Sequence, residues 1–329
     1  MKMLKRILKL LLLAILFIII SGFLYLKYFF FKPSANQLLL QNTNITIPFV
    51  WESDTSNNII QPYAAMLLPV KLNGCPKTFY MQFDLGASSS IFYKNKIDAI
   101  NQKFKNIPVE NNSKNQLTNF TFHLNELLVT AKKINVKQFD DAGINWLDTT
   151  KNEVIGTIGS DLIENKILII NYPKHQISIY DKLLDSISAK ANFSKLEFVN
   201  RKIFIPCIIG NKKTDLLFDT GSSSWELITT KSNWAELAKK GEKVNIFMAN
   251  SWGKQSPFYT TATDCLLVIG NNPLPLKNVT YFDGTSFIQK MLLPIFLKAI
   301  GVGGLPGTKL FLDKTIIIDT KNLKFGIMK

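Results

Sequence analysis

From Ile7 to Phe31 the chain is apolar apart from Lys9, Ser21, Gly22, Lys27 and the tyrosines. As a helix rising about 1.5 Å per residue, Leu10 to Leu26 is long enough to span, or nearly span, the hydrocarbon core of a bilayer. Lys2, Lys5 and Arg6 precede it, the aromatic segment Tyr25 to Phe31 follows, and no small-x-small cleavage site separates them. The pattern predicts an uncleaved signal-anchor, with a cytoplasmic amino terminus and the remainder in the periplasm or another extracytoplasmic space. After Pro33 the apolar runs are short, rich in Ile, Val, Phe and Thr, and broken by clusters of Asn, Gly, Pro and Lys, which reads as mainly β. Two helices are expected in this part. One covers Ser232 to Lys240, with Ser232 or Asn233 as its N-cap. The other covers Phe287 to Ala299 and is too short, and too interrupted by Pro294 and Lys298, to be a second span.

Two patterns occur twice. Phe79-Tyr80-Met81-Gln82-Phe83-Asp84-Leu85-Gly86-Ala87-Ser88-Ser89 is echoed by Thr214-Asp215-Leu216-Leu217-Phe218-Asp219-Thr220-Gly221-Ser222-Ser223-Ser224. Gly156 to Asn171 aligns without a gap on Gly304 to Asp319, and each is followed by a turn and a closing strand, Gln176 to Tyr180 and Leu323 to Met328. The order of features is therefore a duplicated β lobe. The expected segments are 1–34, a cytoplasmic stub with the anchor helix; 35–188, a first lobe; and 189–329, a second.

Composition narrows the chemistry. The 329 residues include 39 Lys or Arg against 24 Asp or Glu, a formal charge of +15. With no recognition-helix pattern, zinc-ligand spacing or aromatic-rich basic motif, the excess reads as a solvated surface, and nucleic acid is not an expected partner. Cys75, Cys207 and Cys265 are too few and too separated for a disulfide framework or a zinc site. His123 and His175 lie near no cysteine and no serine elbow, so a His-dependent triad lacks candidates. The serine runs 88–90 and 222–224 are read as loop-stabilising rather than nucleophilic, and Asp161, Asp313 and Asp319, at turns and strand ends, as solvated.

An aspartate that ends an apolar strand and is followed by x-Gly-Ala/Ser-Ser sits on a tight loop whose small neighbours leave its carboxylate reachable. Two such loops in duplicated lobes bring two carboxylates together at the lobe interface, where they share a proton and act as acid and base on a water molecule. No metal or cofactor is needed. Asp219-Thr220-Gly221-Ser222-Ser223 resembles the signature of pepsin-like and retropepsin-like aspartic proteases, and Asp84-Leu85-Gly86-Ala87-Ser88 resembles its partner. That resemblance implies a bilobal β fold with a central cleft, an extended polypeptide as substrate, endopeptidase activity of a single-chain catalytic unit, and Asp84 and Asp219 as the catalytic pair. It also implies that Gly86, Ala87, Ser88, Thr220, Gly221 and Ser222 support the loops, that Thr157-Ile158-Gly159 and the Gly303 to Gly307 run pack behind them, and that hairpin flaps lie near Asn250 to Gln255 and Asn111 to Gln116. Trp225 is expected close to the second loop. The same fold without catalysis would be a membrane-anchored peptide-binding module.

Leu85 and Ala87 depart from the pattern, since neither carries a hydroxyl. The lock between the loops is therefore expected to be one-sided through Thr220 or replaced by packing, and Asp84 is expected to be harder to ionise than Asp219.

Overall fold

A computed structural model describes residues 2–25, 32–56, 58–104, 115–139, 143–251, 254–282 and 301–328. Lys2–Tyr25 forms a 24-residue helix, as its Leu- and Lys-rich, proline-free sequence predicts. Residues Met1–Ala35 make one unit and Asn36–Lys329 a second, compact one. Among the described residues no helix is long and apolar enough to cross a membrane. The expected span thus rests on the hydropathy of the sequence.

The second unit is mainly β, with an eight-stranded, a six-stranded and a ten-stranded sheet among the described residues. Alternation sets the faces. In Thr78–Phe83 and Lys202–Ile209 every second residue is buried, so one face of each strand enters the core and the other meets its surroundings. The six-stranded sheet behaves differently. Its central strands, Ile167–Asn171 and Thr315–Asp319, are nearly continuous in Ile and Leu and are buried on both faces: Leu168, Ile170, Ile316 and Ile318 join the main core, while Ile167, Ile169 and Ile317 form a smaller cluster with Phe193 and Met328.

These two strands pair antiparallel, with Ile167 opposite Asp319, Ile169 opposite Ile317 and Asn171 opposite Thr315. Ile169 and Ile317 are the same position in the two copies of the repeat. Each therefore faces its own counterpart, and a local two-fold axis passes between them.

The segment from Gln37 to Gln61 is built into the sheets. It contributes the strands Leu38–Gln41, Ile45–Pro48 and Val50–Ser56 and the start of Ile59–Leu72. Two helical details differ from expectation. The helix near residue 232 spans Lys231–Leu237, and its cap is Thr230, whose hydroxyl accepts the Asn233 N–H at 3.3 Å, rather than Ser232 or Asn233. A helix at Lys94–Lys103 was not expected; only Ile97 and Ile100 of its residues are buried, which is too sparse a stripe to stand out in the sequence. Phe287 to Ala299 lies outside the described residues.

Candidate active site

The strand Thr78–Phe83 delivers Asp84, and Lys212–Phe218 delivers Asp219. In each half this incoming strand runs parallel to a glycine-bearing strand, Val154–Ile158 or Val302–Pro306. The outgoing strand, Ile91–Tyr93 or Leu227–Thr229, lies antiparallel on the other side of the same strand. The aspartate loop must therefore cross over the end of that strand, where a glycine leaves room. A Cβ on Gly159 would stand 2.7 Å from the Ser89 carbonyl carbon, and one on Gly307 would stand 1.9 Å from the Ser222 carbonyl oxygen.

The two loops meet face to face, and the Asp84 and Asp219 carboxyls hydrogen-bond each other. Each loop's own glycine lies against the opposite carboxyl: a Cβ on Gly86 would come 2.4 Å from Asp219 Oδ1, and one on Gly221 would come 2.7 Å from Asp84 Oδ1. Any side chain at either position would separate the pair.

Burial, then repulsion from Asp219, then the shared hydrogen bond push the Asp84 carboxyl up to about 8, against the Ala87 N–H and the Lys202 ammonium, which favour the anion. Two acids this close titrate as a pair rather than as separate groups. Their donors are unequal. Asp219 accepts Gly221 N–H at 2.8 Å and the Ser222 hydroxyl at 2.9 Å, whereas Asp84 accepts Ala87 N–H at 3.1 Å and has no side-chain hydroxyl at the position of Ser222.

Thr220 is fully buried and ties the loops together: its hydroxyl donates to the Phe83 carbonyl at 2.8 Å and accepts Leu85 N–H at 2.8 Å. On the other side Leu85 is itself fully buried in the main core. The lock is one-sided and its missing half is filled by packing. The serines are engaged locally. Ser223 donates to the Thr220 carbonyl at 2.7 Å, Ser89 accepts from Arg201, and the Ser88 carbonyl accepts from the same guanidinium.

Other positions need correction. Asp161 and Asp319, which read as solvated turn residues, are 6% and 2% exposed. Asp161 accepts both the N–H and the hydroxyl of Ser90 at 2.7 Å, and Asp319 accepts the N–H groups of Lys321 and Asn322, so each buried carboxylate is satisfied by the loop it braces. Trp225 is buried and stacks on Phe258 at 4.1 Å, with no partner for its Nε1 among the described residues. With Ile59, Gln61, Phe247, Thr280 and Lys309 it lines a cavity of about 280 Å³ beside the second loop. Residues 250–251 and 254–255 end the paired strands Asn245–Ser251 and Lys254–Ala262, whose last pair is Ser251 with Lys254. Residues 252–253, and positions 111–114 of the other expected flap, lie outside the described residues.

Two residues that contact the Asp84 loop escaped the sequence reading, Arg201 and Lys202. Lys202 Nζ donates to the Gly86 carbonyl and acts on both carboxylates.

No protein-family model and no curated protein matches the chain. Among solved structures, the aspartic proteinase from Irpex lacteus aligns over 88% of this chain and 97% of its own, at 12% identity and a TM-score of 0.43. That correspondence is too loose to carry an activity across.

Proposed function

We propose that the chain is an aspartic-type endopeptidase in which Asp84 and Asp219 activate a water molecule for attack on a peptide bond. One observation carries the reading: two carboxyls from equivalent loops of a duplicated fold face each other, each against the glycine of the opposite loop, an arrangement in which two acids can share a proton. In such a pair the ionised member removes a proton from water, and the protonated member donates to the carbonyl oxygen as it gains charge. The nucleophile is water and the two carboxyls make both proton transfers, so no covalent intermediate enters the scheme. Both acids come from one chain, and the dyad requires no second copy. The substrate proposed is an extended polypeptide, held by main-chain pairing and side-chain pockets.

The anchor is a further part of the proposal. It rests on the basic and then apolar pattern of residues 2–26, and the catalytic part is placed outside the cytoplasm at a membrane surface. Fractionation of cells, with and without alkaline carbonate washing, tests it: release by the wash counts against a span.

Cleavage of a mixed peptide library by the full chain, scanned from acidic to neutral pH, tests the activity. Asp84→Asn and Asp219→Asn should each abolish cleavage, with a loss of at least about a thousandfold, since acid and base act as a unit. Persistence of cleavage in either variant overturns the reading.

A further inference from the structure

The two aspartate loops are approached by strands with matching lead-ins. Met66-Leu67-Leu68-Pro69 precedes the first and Ile203-Phe204-Ile205-Pro206 the second. The strand pairings agree with this alignment, since Leu67 faces Gln82 in one half and its counterpart Phe204 faces Leu217, the counterpart of Gln82, in the other. The residues just before these lead-ins do not match at all. The first half has Ala64-Ala65 where the second has Arg201-Lys202. One copy of the repeat therefore offers two cations where the other offers two methyl groups.

The cations reach the opposite half. Asn200 and Arg201 have φ of 52° and 57°, left-handed values that tighten the turn between Glu197–Val199 and Lys202–Ile209. Arg201 is 4% exposed. Its guanidinium bonds Glu164 at 3.1 Å, the Ser88 carbonyl at 3.3 Å and Ser89 Oγ at 3.4 Å. Its carbonyl accepts the Ser160 hydroxyl at 2.6 Å, and that hydroxyl also reaches the Ala87 carbonyl at 2.9 Å. Lys202 donates to the Gly86 carbonyl. Each residue from Gly86 to Ser89 is thus held by this turn or by the serine bound to it, on the loop that lacks the hydroxyls of its partner.

We propose that Lys202, aimed by the buried Arg201, is a positioning residue that sets the charge of the dyad: its ammonium fixes the Gly86 carbonyl and biases the two aspartates towards carrying one negative charge. The proposal rests on reading Asp84 and Asp219 as a working acid–base pair. The charged groups that act on Lys202 are Asp84 and Asp219; Arg201 is turned to Glu164 and Asp161. Burial lowers the Lys202 ammonium and the two carboxylates oppose that, so the three groups form a coupled cluster in which the lysine stabilises the anionic dyad. The Ser222 hydroxyl and the Gly221 N–H do this work for Asp219 by hydrogen bonding, and Lys202 does it for Asp84 by charge.

The test is a pH titration of the carboxyl carbon resonances of Asp84 and Asp219 in the full-length chain, wild type against Lys202→Gln and Lys202→Arg. Glutamine can still donate to the Gly86 carbonyl and has no charge. The Asp84 step should move to higher pH by about one unit in Lys202→Gln, while Lys202→Arg titrates with the wild type. A glutamine variant that titrates as wild type overturns the proposal, as does an arginine variant displaced as far as the glutamine one. Lys202→Met is the second neutral variant if glutamine does not fold, and the arginine comparison decides alone if neither folds. The readout needs no proteolysis. A chain that cuts no peptide but shows the shift overturns the protease reading and leaves the role of Lys202 standing.

Discussion

Asp84 and Asp219 each follow a phenylalanine and precede a glycine by two residues, yet their donors differ, because Ser222 carries a hydroxyl where Ala87 has none. Ala87→Ser places a hydroxyl where Ser222 already donates at 2.9 Å on the other loop. An added donor favours the carboxylate, so the Asp84 step should fall from about 8 by roughly half to one pH unit, read by the same carboxyl titration. An unmoved step would mean that the hydroxyl does not reach the acid. The raised Asp84 also ties stability to pH. The folded protein binds this proton more tightly than the unfolded chain, so its contribution is full below the unfolded value near about 4 and is lost as pH rises through about 8. The melting temperature should fall across that window and the slope should flatten in Asp84→Asn; equal slopes would count against a shared proton. Thr220 makes a separate prediction. Thr220→Val keeps the shape but leaves the Phe83 carbonyl and the Leu85 N–H buried without partners, and should cost about 2–4 kcal/mol in chemical denaturation. Thr220→Ser should recover most of it.

At the scale of elements, the loops stand where they do because a glycine-bearing strand runs beneath each. Gly307→Ala puts a methyl group 1.9 Å from the Ser222 carbonyl oxygen, and a backbone atom cannot swing aside as a flexible side chain does. The strand or the loop must shift, so a loss of about 1–3 kcal/mol or more is expected, together with weakened coupling between the two carboxyls in the titration. Unchanged stability and titration would show that the loop does not rest on this strand. Much of this layer was readable, because the chemistry that needs it is local: Asp-x-Gly-x-Ser and the flanking β-branched runs are contiguous. The turn Asn200–Lys202 was not, because its partners at Gly86, Ser88 and Glu164 are far away along the chain and no spacing rule links them. The helix Lys94–Lys103 was missed for the opposite reason, since its pattern is local but only two of its residues are buried. The burial of Asp161 and Asp319 follows from the loops they brace, which a linear reading sees as ordinary turns.

At the scale of the whole molecule, the halves are joined twice, by the chain through Asp185–Ser188 and by the pairing of Ile167–Asn171 with Thr315–Asp319. The first joint has no buried residue, whereas the second is enclosed by apolar side chains on both faces. The Thr220 lock, the Arg201–Glu164 ion pair and the Lys202 contact add to the second. Association should therefore survive loss of the covalent link. A protease site inserted between Asp185 and Lys190 and then cut should leave one species in size-exclusion chromatography under native conditions, with the dyad titration unchanged. Denaturant should separate the fragments in the same transition that unfolds them, because the interface is part of the core rather than a contact between finished domains. Two fragments eluting apart in native buffer would instead mean that the peptide link holds the loops in register, and that the central sheet follows from the tether.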